Sequence, residues 1–138
     1  MKLILCVDDR YGLLFNHRRQ SRDREVTADI IAESFNGRLL IEKRSEILFG
    51  DAEKYRPVIS DNISDEAGKN DCCFIEREPD ETLLAKADEL VLYFWNRKYP
   101  GDVFFRPDMK IWTPESEIEF RGHSHDKITK RRYTKGDR

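Results

Sequence analysis

His123-Ser124-His125-Asp126 is the stretch of this chain whose residue types come nearest to a metal site. Histidines two apart on one loop can share an ion, and a neighbouring carboxylate can add a ligand. A hydrolytic two-metal centre needs several further ligands, and the one other histidine is His17. The plainer reading is an exposed polar turn ahead of the last strand. Two basic groups, Arg18, Arg19, Arg22 and Arg24 near the first helix and Lys127, Lys130, Arg131, Arg132 and Lys135 at the C-terminal end, could form a phosphate or nucleic-acid footprint. Acidic neighbours such as Asp23 and Glu25 make a solvated, balanced face the expectation instead. Cys72 and Cys73 are adjacent, so on a strand they point to opposite faces and cannot build a CxxC zinc or redox site. Tyr93, Phe94 and Trp95 are read first as aromatic core.

The elements that must position these residues are legible from periodicity. Lys2 to Val7 is a short apolar run ended by Asp8, the pattern of a buried strand. Arg10 to Asn16 reads as a turn through Gly12 with an apolar tail. Ser21 is the expected N-cap of a helix along which Val26, Ile30, Ile31 and Phe35 recur at helical spacing, with Asn36-Gly37 as its stop. Arg38 to Glu42 is a second strand, Ser45 caps a short helix through Phe49, and Val58 to Ser60 is a brief third strand. Asp61 to Asp71 is loop with a helical turn. Cys72 to Ile75 is a fourth strand, Pro79 to Lys86 a short helix, and Glu89 to Asn96 the most β-prone run. Met109 to Thr113, Ile118 to Arg121 and Ile128 to Tyr133 follow as three partly exposed strands. Strands alternating with helices and then a run of strands predict an α/β domain: a mostly parallel central sheet flanked by helices, with an antiparallel C-terminal edge.

A chain of 138 residues is expected to form a single domain, 1–138, with one core. Its 25 basic and 27 acidic residues nearly cancel, to a net charge of −2, so bulk charge favours neither nucleic acid nor membrane as partner. The apolar run at Met1 to Val7 is too short for a secretion signal and no segment could span a bilayer, so the expected location is cytoplasmic. Three cysteines imply reduced thiols and no disulfide framework.

Ala87-Asp88-Glu89-Leu90-Val91-Leu92-Tyr93, followed by Pro100-Gly101-Asp102-Val103-Phe104-Phe105-Arg106-Pro107, resembles the C-terminal part of dihydrofolate reductases. There an alanine-aspartate pair opens a buried strand and a Gly-Asp-x-Phe-Phe-Pro segment follows. Ile4 to Asp8 with Tyr11-Gly12-Leu13 is similar to that family's first strand and the start of its mobile loop. The order of elements is similar over nearly the whole chain, which is thus identified as a short, divergent bacterial member. The resemblance implies the dihydrofolate-reductase-like fold. It also implies that Lys43, Arg44 and Ser45 stand where the family's Gly-Arg-Lys-Thr holds cofactor phosphate, with Glu42 in place of the glycine. Glu76 and Arg77 stand where a Gly-Gly pair approaches the pyrophosphate. Arg19-Gln20-Ser21 replaces the Leu-Pro-Trp loop. Asp23 or Glu25 could stand in for the catalytic acid, although a direct count puts Val26 there. Arg56 is the counterpart of the arginine that binds the folate tail.

These departures imply a degenerate active site: a non-reductase that binds a small molecule or a protein partner, with no cofactor expected. One alternative is a divergent NADPH-dependent reductase of a pterin-like heterocycle, with Asp23 or Glu25 as proton donor. The other is a metal-dependent nuclease centred on His123, His125 and Asp126, since their spacing resembles the His-x-His-x-Asp-His of metallo-β-lactamase-fold hydrolases such as ribonuclease Z. The ligand-binding reading needs neither metal, membrane nor nucleic acid.

Overall fold

Alternation of apolar side chains along the strands builds two cores, one on each face of a seven-stranded sheet. The structure is a computed structural model that describes residues 1–50 and 56–136. The strands are β1 (Lys2–Val7), β2 (Gly12–Phe15), β3 (Arg18–Arg19), β4 (Leu39–Ile41), β5 (Val58–Ile59), β6 (Cys72–Phe74), β7 (Glu89–Phe94), β8 (Val103–Phe104), β9 (Trp112–Phe120) and β10 (Ile128–Lys135). The helices are α1 (Arg24–Glu33), a 3-10 helix (Lys43–Phe49), α2 (Ile63–Glu66) and α3 (Glu81–Lys86). The large sheet runs β5-β4-β6-β1-β7-β10-β9, parallel from β5 to β7 and antiparallel across β10 and β9. This is the expected class. A smaller sheet, β3-β2-β8, lies beside it.

Leu3, Leu5, Cys73, Leu90 and Leu92 face one core, closed by Ile63 of α2 and Leu83 of α3. Ile4, Cys72, Val91 and Tyr93 face the other, closed by Val26 and Ile30 of α1 and Phe49 of the 3-10 helix. The two cysteines thus lie on opposite faces, as adjacent strand residues must. Burial holds their thiols above the ordinary range, Cys73 at about 12.

Several local expectations are corrected. Asp23, not Ser21, caps α1: its side chain accepts from the Glu25 N–H at 2.9 Å. The helix ends at Glu33, so Phe35 falls outside the apolar stripe and is 79% exposed. Ser45 makes no cap bond; the residue before the 3-10 helix is Glu42. The expected strands at Met109 to Thr113 and Ile118 to Arg121 are one continuous strand, β9, that pairs along β10 with a register slip between Arg132 and Tyr133. Long antiparallel pairing carries β9 through Pro114, which an edge position tolerates. The Arg10 to Asn16 turn becomes β2, entered through Tyr11 at φ 64°.

The C-terminal basic cluster is spent internally. Lys130 and Arg132 reach Glu33, Arg131 reaches Glu117, and Lys127 reaches Glu119. Among the described residues no helix is long and apolar enough to cross a membrane.

Candidate functional site

In open α/β sheets, ligand crevices lie outside the carboxyl ends of the parallel strands. Here those ends deliver Asp8 after β1, Glu42 after β4, Glu76 just beyond β6, and Trp95 and Asn96 after β7. The β2–β3 hairpin folds over them. Its two turn residues, Asn16 and His17, both have positive φ (51° and 63°), the backbone of a type I′ turn.

The hairpin is fastened down by its own side chains. Arg19 donates to Glu76 in bidentate fashion, Nε to Oε2 at 2.6 Å and Nη2 to Oε1 at 2.7 Å. Ser45 Oγ donates to Glu76 Oε1 at 2.7 Å. Arg44 donates to the His17 carbonyl at 3.0 Å, and Arg19 to the Arg44 carbonyl at 2.9 Å. A second pair, Arg77 Nε to Glu42 Oε2 at 2.7 Å, bridges the end of β4 to the end of β6. Lys43 is 79% exposed and paired with Glu46. The residues expected at a cofactor groove therefore do converge, apart from Lys43, but on one another. Among the described residues the buried atom without a partner at this bridge is Glu42 Oε1, an acceptor.

Deeper in, the crevice is lined by Cys6, Leu13, Val26, Ile30, Phe74 and Trp95, and its free space is about 20 Å³, room for roughly one water. Val26 of α1 lines this inner part. Sharing Arg22, Asp23, Thr27 and Leu48 with it is an outer groove of about 390 Å³ between α1, the 3-10 helix and the loop before β10. Ala28, Ile31, Leu48 and Phe49 give it an apolar base, and Arg22 and Arg24 a cationic rim beside His123.

Asp23 sits where the two parts meet. It is buried and accepts from the backbone N–H of Glu25 (2.9 Å), His123 (2.9 Å) and Ser124 (2.8 Å) and from Ser124 Oγ (3.2 Å). Its Oδ2 is also 2.9 Å from His125 Nδ1. Burial pushes this carboxyl up, but the His123 N–H, the His125 ring and the Ser124 and Glu25 N–H groups outweigh it and hold it well below the usual range. An ionised carboxylate so surrounded has no proton to give. Glu25 is exposed on α1 and lines neither part of the crevice.

His125 is buried, with Trp95 stacked on its ring at 4.8 Å. Its Nε2 lies 2.9 Å from Ser21 Oγ and 3.4 Å from the Tyr99 hydroxyl. His123 instead faces out against Arg24, at 2.8 Å, and Asp126 is exposed. The three residues considered for a metal thus point apart, and no group of three or more candidate ligands occurs among the described residues. Arg56 is exposed and lines neither part of the crevice. Sequence reasoning missed Ser21, Tyr99 and Trp95 as parts of one cluster with His125. An acidic residue at the start of α1 and a polar His-Ser-His loop were visible, but nothing in the spacing signals that they meet.

No family model and no curated protein sequence matches this chain. Among solved structures it is similar to "Dihydrofolate reductase from Enterococcus faecalis complexed with NADP(H)and RAB-propyl", with a TM-score of 0.68 at 11% identity, covering 99% of this chain and 96% of that one. The chain has a dihydrofolate-reductase-like fold.

Proposed function

We propose that this protein is a non-reductase that uses the outer groove of the cleft to bind a small, anionic, partly apolar molecule. The observation that carries the reading is the double closure, by Arg19–Glu76–Ser45 and Arg77–Glu42, of the place where the resemblance puts cofactor phosphate. A pyrophosphate wants unpaired N–H donors and cations. At this place two carboxylates stand in its way, and both guanidiniums are already engaged. The first turn of α3 is likewise capped by its own Asp80, whose Oδ1 accepts from Leu83 at 2.8 Å. These residues do not fit NADPH. The outer groove has the opposite character, an apolar base under Arg22 and Arg24, so an aromatic or aliphatic body with a carboxylate or sulfonate suits it.

Calorimetry with NADPH is expected to show no saturable binding; tight saturable binding would overturn the reading. Naphthoate, used as a probe of the groove, is expected to shift amide resonances of α1 and the 3-10 helix. Arg22→Glu/Arg24→Glu is expected to abolish those shifts. Shifts elsewhere, or none, would refute binding in the groove.

A further inference from the structure

The cluster around His125 does more than a helix cap requires. Asp23 satisfies the first turn of α1 through the Glu25 N–H alone; the imidazole, the serine and the indole are additional. Because the ionised Asp23 can only accept, His125 Nδ1 must carry the hydrogen of their 2.9 Å contact. In the neutral ring Nε2 is then bare, and the Ser21 hydroxyl, 2.9 Å away, donates to it. Trp95 fixes the ring plane and shields it from water. Ser21 is half-buried and lines the inner crevice. A hydroxyl on a bare imidazole nitrogen, with the other nitrogen on a buried carboxylate, is the arrangement that raises a serine's nucleophilicity.

We propose that Ser21, His125 and Asp23 form a nucleophilic relay for acyl transfer, acting on esters of short carboxylic acids. Ser21 Oγ attacks the ester carbonyl carbon while its proton passes to His125 Nε2. The carbon–oxygen bond to the alcohol then breaks, and the alcohol leaves with that proton. Water attacks the acyl-serine, giving one proton to His125. Collapse releases the carboxylic acid, and the proton on His125 returns to Ser21 Oγ. Asp23 holds the imidazolium throughout by charge and orientation. The inner crevice beside Ser21 has room for about one water, about 20 Å³, which excludes bulky acyl groups. Placing the alcohol part in the outer groove rests on the ligand-binding reading above; the nucleophile does not.

The test is labelling of the full chain with a small alkyl fluorophosphonate, which reacts at phosphorus, expels fluoride and needs no groove. Peptide mass spectrometry is expected to find one adduct, on Ser21. Ser21→Ala, which removes only a half-buried hydroxyl, should retain the native circular dichroism spectrum and take up no label. His125→Gln should slow labelling by about a hundredfold or more. p-Nitrophenyl acetate should give a burst of nitrophenol that Ser21→Ala loses. Absence of an adduct on Ser21 in the natively folded protein would overturn the proposal. So would a labelling rate that His125→Gln, shown folded by the same spectrum, leaves unchanged. Labelled Ser21 together with failed naphthoate binding would sink the groove and leave the relay standing.

Discussion

At the scale of single residues, the carboxylates of α1 do most of the tying together. Glu33 receives Lys2 at 2.8 Å, Arg132 at 2.6 Å and Lys130, while Asp29, one turn earlier, receives Lys130 at 2.6 Å and the Tyr93 hydroxyl at 2.5 Å. Burial raises Glu33, but Arg132, Lys130 and Lys2 overcome it and bring the carboxyl from 4.5 down to about 2. The folded value lies below the unfolded one, so this group contributes stability above the unfolded value that is lost as pH falls toward 2. Asp23, lowered for different reasons, acts in the same direction from 3.8 downward. Urea titrations are therefore expected to show stability falling between about pH 4.5 and 2, with Glu33→Gln flattening that slope. At neutral pH the same substitution should cost about 3 kcal/mol, because it strips a shared partner from half-buried cations. A pH profile identical to that of the parent protein would mean that Glu33 is solvated.

At the scale of elements, two turns decide whether the crevice exists. The β2–β3 hairpin reverses through Asn16 and His17 at positive φ, which both residues adopt less readily than glycine. No side-chain bond from His17 is seen among the described residues; its carbonyl alone serves, by accepting from Arg44. His17→Gly should therefore raise stability by about 1 kcal/mol in thermal melts. The loop before β10 is held by a close approach: a Cβ on Gly122 would lie 2.6 Å from Asp23 Oδ2 and 3.0 Å from the His125 carbonyl. Gly122→Ala is expected to cost about 1–3 kcal/mol and to displace the His125 ring resonances. Unmoved resonances would show that the loop has slack. Local signals identified most of these elements and misplaced their ends. Ser21 and Asp23 are equally good caps by type, and the choice went to the one that a distant loop also binds. Pro114 and the turn-like Glu115-Ser116 hid the continuity of β9, because only its pairing with β10 supplies the reason to stay extended.

At the scale of the whole molecule, the architecture was readable because strand alternation and helical spacing are local properties, while the two cores demand that they agree. The site was not, because its members come from both ends of the chain. Asp23 and His125 are 102 positions apart, and Arg19 and Glu76 are 57 apart. That separation has a consequence for how the molecule comes into being. As the chain grows from its N-terminus, α1 and the hairpin are present long before the loop that carries His125. Asp23 must wait, with its neighbours solvated, until β10 pairs with β7. The parallel strands can gather first, since β1 meets β7 directly. Loop closure over such distances is slow. Refolding is thus expected to show sheet formation by circular dichroism ahead of a separate, later change in Trp95 fluorescence as the indole settles on His125. Simultaneous phases would contradict this order. The His125 cluster is the part the chain completes last, and one that a loss of its final strand would remove while sparing much of the sheet.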